Sequence, residues 1–234
     1  MVSGIMMDVQ WAVQQMAELW QPLSDRHRDL LLDSLTIQRC KKNEIIYYEN
    51  DTPECLFLLL KGKVKIYKEG VGGRMQIVRM AKPLGFFGYR AGFANDSYST
   101  SASAFETSTL CRIPIPTVKQ LILENNHIAV YFIQQLANLL RHADEQTVNL
   151  TQKHIRGRLA EGLIRLKEHY GTEADKATLN IHLSREDLAS LSNMTTSNAI
   201  RTLSAFASEK LIAIDGRRIS ILEEEKLHHI SKLG

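Results

Sequence analysis

The 234-residue sequence contains few cysteines and no long apolar segment. Its three cysteines, Cys40, Cys55 and Cys111, are widely spaced, which excludes a disulfide framework and the cysteine cluster of an iron–sulfur protein. No stretch approaches the roughly 18 apolar residues of a membrane-spanning helix. The opening MVSGIMMDVQWAVQQ lacks the basic-then-hydrophobic order of a secretory signal. We therefore expect a cytoplasmic protein without membrane contact.

Histidine is absent between His27 and His127. This absence argues against a cupin-type metal enzyme and against haem ligands in the middle of the chain. The pair His228-His229 is interpreted as solvated rather than metal-binding. The sequence thus carries no haem, iron–sulfur or metal signature. A net charge of +3 is too small to identify a partner, so contact with DNA would need a local basic face.

The first half of the chain changes from a helical to a strand-like pattern. Residues 8–39 carry apolar side chains at helical spacing, beginning at Trp11. Short apolar runs separated by glycine-rich turns follow, and they are typical of a sandwich or barrel. The runs cover residues 45–48, 56–60, 64–67, 75–78 and 109–113.

A long helix is predicted to begin near Thr117, and its apolar residues form two stripes. One stripe contains Ile128, Phe132 and Leu139. The other has alternating spacings of four and three, as in the seam of a two-stranded coiled coil, and comprises Ala129, Ile133, Leu136, Leu140, Ala143 and Thr147. A helix with two apolar faces must be covered twice. We assign the first stripe to the barrel and the second to another subunit; the alternative is a helix buried within one large domain.

Residues 183–222 have the pattern of two short helices joined by a turn and followed by a hairpin. Ser184 and Asp187 predict a capping box, and Asn193 tolerates the left-handed conformation that the turn needs. Thr195 is predicted to cap the second helix, with an inner face of Ala199, Ile200, Leu203 and Phe206. The Asp215-Gly216 pair between two apolar runs predicts the hairpin. Such a winged helix-turn-helix fits the major groove of DNA, and an amphipathic helix over 152–170 would pack behind it.

The outer face of the second helix carries short hydrogen-bonding groups and one guanidinium, where an ordinary exposed helix would favour Glu and Lys. These residues are Thr195, Thr196, Ser197, Asn198 and Arg201. Arg217 and Arg218 lie at the hairpin tip, where a wing meets phosphate. Ser184, Arg185 and Thr195 are candidates for phosphate contacts at helix N-termini. The alternative is a small helical subdomain with a solvated hairpin.

Residues 120–150 and 183–212, with the turn at Lys61-Gly62, resemble the family of the cyclic-AMP receptor protein and the fumarate–nitrate reductase regulator (CRP/FNR). The resemblance covers nearly the whole chain and implies an α+β fold. Its parts would be N-terminal helices and a cyclic-nucleotide-binding-like β-barrel (a double-stranded β-helix, or cupin-like jelly roll) over 1–114, a dimerisation helix over 115–150 and a winged helix-turn-helix over 151–234. The implied function is a homodimeric transcription regulator of palindromic double-stranded DNA, with RNA polymerase as a further candidate partner.

The barrel departs from the cyclic-nucleotide-binding members of that family. Their Gly-Glu pair meets the ribose and their Arg-Ser pair meets the phosphate, but here Tyr89 replaces the glutamate and Tyr98 the arginine. Losing the arginine removes a bidentate contact to phosphate. Ala143 and Asp144 stand where residues of the long helix would meet the base. We therefore do not expect cyclic AMP to bind in the family's manner.

An unidentified small-molecule effector remains a candidate partner for the inherited pocket. The residues that would line it are Gly88, Tyr89, Arg90, Tyr98, Ser99, Thr100 and Asp144. The alternative is that these residues close a collapsed, apolar barrel.

The DNA-reading helix also departs from the family's commonest pattern. Arg201 is retained, and its predicted role is a bidentate contact to guanine O6 and N7. Ser197 replaces a glutamate that would accept a hydrogen bond from cytosine N4. The sequence therefore predicts an altered half-site at that base pair.

A barrel enzyme or small-molecule-binding protein with an appended helical domain is the competing class. Such an enzyme would need clustered histidines or carboxylates in the barrel. The available carboxylates fall mostly near turns and do not pair at catalytic spacing: Glu44, Glu49, Asp51, Glu54, Glu69, Asp96 and Glu106. We therefore expect a regulator and not an enzyme.

Overall fold

The computed structural model describes residues 21–233, apart from the Val71 side chain. They form two compact units, one of residues 21–68 and 78–139 and the other of residues 69–77 and 140–233. The helical pattern expected over residues 8–20, including Trp11, lies outside the described residues. Within residues 21–233, no helix is long and apolar enough to cross a bilayer.

Two four-stranded sheets, with strand orders β1-β8-β3-β6 and β2-β7-β4-β5, make up most of the first unit; the end of β4 and the start of β5 fall within residues 69–77 of the second. Their strands are β1 Thr36–Cys40, β2 Ile45–Tyr47, β3 Cys55–Lys61, β4 Val64–Glu69, β5 Met75–Ala81, β6 Phe86–Phe87, β7 Ser101–Ala104 and β8 Ser108–Pro114. Strand β3 pairs antiparallel with β8, Leu58 opposite Cys111, and β4 with β7, Val64 opposite Ala104. The five apolar runs predicted as strands all lie in this barrel.

Strand β3 has four consecutive buried residues because both of its faces are covered. Phe57 and Leu59 point into the barrel interior, where they pack with Tyr47 and Phe87. Leu56 and its alternate neighbours point the other way, into an apolar cluster that includes helical residues. The period of two along a strand produces this division.

Gly62 lies in the turn between β3 and β4 that the family resemblance singled out. Its φ is +96°, and an added Cβ would stand 2.3 Å from Ser108 Oγ and 2.8 Å from Ser108 Cα. A side chain there would be excluded both by conformation and by space.

Four helices begin in the first unit: α1 Asp25–Ser34, α2 Tyr89–Ala94, α3 Ile115–Glu124 and α4 Asn126–Gln152. The expectation of helix up to residue 39 is wrong, because the chain becomes extended at Leu35 and then forms β1. The single helix expected from Thr117 is divided at Asn125, which has φ −141° and ψ 105°. The Asn125 side chain accepts from His127 N and donates to Pro22 O, so the break is held by hydrogen bonds.

The stripe assigned to the barrel is confirmed. Ile128 and Phe132 of α4 are buried in one apolar cluster with Leu56 of β3 and Ile113 of β8, and Leu139 packs against that cluster. Strands and helices thus share a core on the outer face of the first sheet.

The second unit contains the predicted helix-turn-helix and hairpin. Its elements are α5 Ile155–Tyr170, α6 Arg185–Leu191, α7 Thr196–Ser208, β9 Ile212–Asp215, β10 Arg218–Ile221 and α8 Glu224–Leu233. Leu163, Phe206 and Leu227 are completely buried and form part of its core. Helix α5 begins three residues later than the predicted 152, and α8 has no counterpart among the predicted elements.

Candidate nucleic-acid interface

Both helices of the helix-turn-helix begin at the predicted caps. Ser184 Oγ accepts from Asp187 N at 3.0 Å and donates to Asp187 Oδ2 at 2.5 Å. Thr195 Oγ1 accepts from Asn198 N at 3.2 Å. Asn193 has a φ of +49°, the left-handed conformation that the turn requires. These bonds supply partners for amide groups that a helix leaves unpaired in its first turn.

Helix α7 presents a polar outer face. Thr195, Thr196, Ser197 and Arg201 are exposed, whereas Asn198 is half-buried. Arg201 Nη2 donates to Asn198 Oδ1 at 2.6 Å. The guanidinium therefore already stands over the face that would enter a groove.

Ile200 was expected on the inner face of α7, and this expectation is wrong. Its residue surface is 46% exposed, whereas Ala199, Leu203 and Phe206 are buried. At about 100° per residue, Leu203 and Phe206 lie close to the direction of Ala199, but Ile200 lies a quarter turn away. An apolar side chain thus stands beside Arg201 on the outer face, and the helical phase is the signal that would have found it.

The hairpin turn is displaced by one residue from the expected position. Asp215 pairs with Arg218, so Gly216 and Arg217 form the turn, with Gly216 at φ +57°. The Arg185 guanidinium donates to Gly216 O at 3.0 Å and so links the start of α6 to the turn. All four residues of this turn are exposed.

The two hairpin arginines differ in their partners. Arg218 forms an ion pair with Glu173, whose other carboxylate oxygen is 2.9 Å from His182 Nε2. Arg217 is exposed and has no ion pair among the residues that the structure describes. Arg217 is therefore the more available of the two for a phosphate.

A turn held by the Asp175 carboxylate is hydrogen-bonded to the hairpin through Thr178. The carboxylate accepts from Ala177 N at 3.0 Å, Thr178 N at 2.9 Å and Thr178 Oγ1 at 2.5 Å. These hydrogen bonds, led by the one from the Thr178 side chain, lower the pKa of Asp175 to about 2. Thr178 Oγ1 also lies 2.7 Å from Ser220 Oγ of β10. The carboxylate thus keeps its charge and its turn throughout the physiological pH range.

Arg158 is a positioning residue that sequence reasoning missed. Its guanidinium donates to four carbonyl oxygens, those of Leu150, Lys153, Ser192 and Asn193, at 3.2–3.3 Å. The first two belong to the end of α4 and the linker after it, and the last two to the turn before α7. The Arg158 side chain therefore joins the C-terminal end of α4 to the turn that precedes α7.

Replacing Arg158 with Met is expected to destabilise the second unit by about 2–4 kcal/mol, because several half-buried carbonyls lose a charged donor. The check is thermal unfolding of the full chain. Arg165→Met on the same helix is the matched control, since no partner of Arg165 is recorded within residues 21–233. Equal unfolding temperatures for the two variants would contradict the role of Arg158.

Much of the α4 stripe that was assigned to a second subunit is left exposed by residues 21–233. Ile133 is 63% and Leu140 64% exposed, while Ala143 and Thr147 are also exposed. Ala129 and Leu136 are half-buried, and Leu136 packs against the core of the first unit. Large apolar side chains repeated at heptad spacing on an open helix face are typical of an association surface.

Within the barrel, Tyr98 and Tyr89, which the family resemblance led us to expect in a nucleotide pocket, are packed against other aromatic rings. Tyr98 stacks on Tyr47 with ring centroids 3.8 Å apart, and its hydroxyl donates to Cys55 O at 3.3 Å. Tyr89 packs on the other side of the sheet, against Phe93 and Phe132. Burial raises the pKa of both tyrosine hydroxyls, so both stay neutral.

The remaining pocket candidates are spread over both units. Gly88 has φ +80°, and an added Cβ would stand 2.7 Å from the Phe57 ring, so its lack of a side chain is a packing requirement. Arg90 and Ser99 are exposed and Thr100 half-buried in the first unit. Asp144 is exposed on the part of α4 that belongs to the second unit. No cluster of three or more potential metal ligands occurs among the described residues.

Comparison with protein families gives matches in both units. The cyclic nucleotide-binding domain matches residues 37–125, and the Crp-like helix-turn-helix domain matches residues 157–230. The second match contains α5 from residue 157 onwards, the whole of α6, α7 and the hairpin, and α8 up to residue 230.

Curated relatives extend the similarity along the chain. A probable transcriptional regulator flp from Lacticaseibacillus casei is 27% identical over 213 residues, covering 89% of this chain and 93% of that protein. The CRP-like cAMP-activated global transcriptional regulator of Mycobacterium tuberculosis is 23% identical over 187 residues, covering 80% and 84%. These relatives are transcription regulators and not enzymes.

The solved structure of FixK2 from Bradyrhizobium japonicum has a similar fold. The TM-score is 0.76 at 23% identity, over 84% of this chain and 96% of that one. The expected α+β fold, with a barrel of the cyclic nucleotide-binding type, a long helix and a C-terminal helix-turn-helix, is confirmed.

Proposed function

Because the chain belongs to the CRP/FNR family of DNA-binding transcription regulators, we propose that it is a homodimer that reads a palindromic operator and whose barrel senses a small molecule other than cyclic AMP. The observation that carries the proposal is the outer face of α7, where exposed Thr196, Ser197 and Arg201 stand free of the core. Arg201 is the base reader, expected to bind guanine O6 and N7. The proposed domains are N-terminal helices and a sensor barrel over 1–114, a dimerisation helix over 115–150 and a winged helix-turn-helix DNA-binding domain over 151–234.

The surrounding residues supply the backbone contacts. Arg217 contacts a phosphate from the hairpin tip. Arg218 adds positive charge at the same place, although its guanidinium also forms an ion pair with Glu173. Ser184, Arg185 and Thr195 mark the N-termini of the two helices, where backbone amides attract phosphate. Thr196, Ser197 and Asn198 complete the surface that faces the bases. Contacts to phosphate would fix the position of the protein along the DNA, and Arg201 with its neighbours would determine which base sequence is preferred.

Dimerisation is supported by the open heptad seam of α4. Ala129, Ile133, Leu136, Leu140, Ala143 and Thr147 lie along this seam, and two copies would bury the exposed apolar side chains against each other. Two reading heads would then lie about one DNA turn, roughly 34–36 Å, apart. The protein is proposed to act in the cytoplasm, with RNA polymerase as the partner if it activates transcription.

Cyclic AMP is a poor fit for the barrel. Tyr89 and Tyr98 occupy the positions of the family's glutamate and arginine, and both rings are buried and packed on other aromatics. A neutral phenol cannot replace a guanidinium as a bidentate donor to phosphate. The effector is therefore expected to belong to another chemical class.

The test of DNA reading is selection from a genomic duplex library with the full chain. The expected result is enrichment of an inverted repeat whose half-sites are separated by one helical turn. A selection that yields no enriched inverted repeat at either low or moderate salt would contradict the proposal.

Ile200 is expected to contribute an apolar contact to a thymine methyl group, because it stands exposed beside Arg201. Replacing Ile200 with Ala should lower affinity for the selected operator by about 1 kcal/mol and relax the preference for thymine at one position of each half-site. Fluorescence anisotropy with operators changed one base pair at a time would measure this. Val148→Ala, which trims an exposed side chain of α4 outside the DNA-reading surface, should leave every affinity unchanged. Equal losses at all positions would contradict a base contact.

A further inference from the structure

One of the two hairpin arginines is held by a carboxylate that also contacts a histidine. Arg218 of β10 donates to Glu173 Oε2, and Glu173 Oε1 lies 2.9 Å from His182 Nε2. The Glu173 side chain is 27% exposed, and the side chains of Arg218 and His182 are each 50% exposed. Two groups that can carry positive charge therefore meet one anion at a partly exposed site beside the hairpin.

The backbone of Glu173 is fixed close to the hairpin. Its N–H donates to Thr178 O at 2.7 Å, and its carbonyl oxygen accepts from Lys176 N at 3.0 Å. Thr178 in turn forms a β-bridge with Ser220 of β10. The carboxylate therefore keeps its place beside β10 even when the end of the long Arg218 side chain moves away.

His182 is also fixed in place, because it lies between the buried residues Ile181 and Leu183 just before the cap of α6. The other charged groups on the elements that adjoin this site are Asp175 and Lys176 of the turn, Asp215 and Arg217 of the hairpin, and Arg185 and Glu186 at the start of α6. Within residues 21–233, no ion pair joins any of them to Glu173 or His182. Glu173 and His182 therefore form a separate pair whose further partner is Arg218.

A DNA phosphate would compete with Glu173 for Arg218, because both anions are bound by the same guanidinium fork. Once Arg218 has left, the Glu173 carboxylate would be an uncompensated negative charge beside an anionic duplex. A protonated His182 is already within hydrogen-bonding distance and would compensate that charge. Histidine is the side chain that normally changes its charge between about pH 5 and pH 8.

We propose that Glu173 and His182 are positioning residues for the hairpin. Glu173 holds Arg218 in the free protein, and a protonated His182 replaces Arg218 on Glu173 when Arg218 moves to a DNA phosphate. The proposal rests on the DNA-binding function proposed above and adds to it a coupling to pH. Because the DNA-bound form holds more protons than the free form, the affinity for DNA rises as the pH falls.

The experiment measures anisotropy of the selected operator with the full chain at pH 6, 7 and 8. The ionic strength is held constant, because contacts to phosphate depend on salt. The wild-type Kd should fall about 3–20-fold from pH 8 to pH 6, because each of the two heads gives up one partly exposed ion pair worth about two- to fivefold. Calorimetry at pH 7 in two buffers of different ionisation enthalpy should show an uptake of up to about one proton per head. A Kd that does not change with pH, without proton uptake, would overturn the proposal.

The His182→Gln variant keeps an N–H donor but cannot be protonated, so the fall in Kd between pH 8 and pH 6 should be lost. Arg218→Gln should lose it as well, because no guanidinium then leaves Glu173. His229→Gln, at an exposed site on α8, is the matched control and should keep the wild-type pH dependence. If either His182→Gln or Arg218→Gln keeps that dependence, the proton is taken up elsewhere and the proposal is wrong.

The Glu173→Gln variant tests the carboxylate itself. It should release Arg218, tighten operator binding at pH 8 by about 3–20-fold and remove the pH dependence. Glu168→Gln removes one exposed carboxylate from α5 of the same unit and should keep the pH dependence. If Glu173 only supports the fold, its replacement will lower Tm and weaken DNA binding at every pH, which contradicts the proposal.

Operator selection with the wild-type chain is scored separately from the pH response. An enriched inverted repeat that is bound equally at pH 6 and pH 8 rejects this inference alone. Binding to duplex DNA that takes up protons but selects no repeat rejects the proposed sequence reading alone. A chain that binds no duplex DNA at either pH rejects both.

Discussion

Replacing Ile133 and Leu140 together with Glu is expected to produce a monomer and to weaken binding to a palindromic operator by about 10²–10⁴-fold. The two side chains are 63% and 64% exposed and lie seven residues apart, at the same position of successive heptads. Four carboxylates would replace four apolar groups across the two-fold axis. The loss of DNA affinity follows because the second half-site contact would no longer be intramolecular.

Light scattering gives the mass, and anisotropy with whole and half operators gives the affinities. Leu123→Glu is the matched control, since Leu123 is 84% exposed on α3 and outside the seam. It should remain dimeric. Leu136 is left unchanged because it also packs against the core of the first unit. A double variant that stays dimeric would show that another surface joins the subunits.

Replacing Arg201 with Ala is expected to cost about 1–3 kcal/mol per half-site on the specific operator and to remove the preference for one base pair. The guanidinium is exposed on α7, and nothing in its surroundings depends on it except the hydrogen bond from Arg201 to Asn198. The fold should therefore survive the change. Anisotropy against operators substituted at each position would show the loss of discrimination.

Arg217→Ala is the matched comparison, because it also removes one exposed guanidinium from the same unit. As a phosphate contact it should weaken binding to all sequences alike and reduce the slope of log K against log salt by about 1. If Arg201→Ala instead lowers the salt slope and keeps base preference, the two arginines have the opposite roles.

The DNA-binding unit was the part most readily predicted from sequence. Caps at Ser184 and Thr195 and the left-handed Asn193 depend on local chemistry, so short motifs are enough to place them. Ile200 was misplaced because it lies at the border of the apolar face, where a quarter turn decides between core and solvent. Arg158 was missed because its four acceptors are backbone carbonyls, which leave no signal in the sequence.

The barrel was harder to predict in detail. Strand β1 was read as the end of a helix, because apolar leucines just before it continue a helical pattern. The division at Asn125 depends on a hydrogen bond to Pro22, a residue distant in sequence. Tertiary contacts decide each of these features, and a single sequence does not contain them.

The hydrogen bond between Arg201 and Asn198 has a consequence for the entropy of DNA reading. A long cationic side chain carries about 2 kcal/mol of rotamer freedom, and part of it is already given up in the free protein. In the proposed complex the guanidinium would therefore reach the groove with its direction already set. A reader fixed in this way gains more from a correct guanine and has less freedom to swing towards a wrong base. Besides its place on the surface proposed to face the bases, Asn198 would thus contribute to fidelity by orienting Arg201.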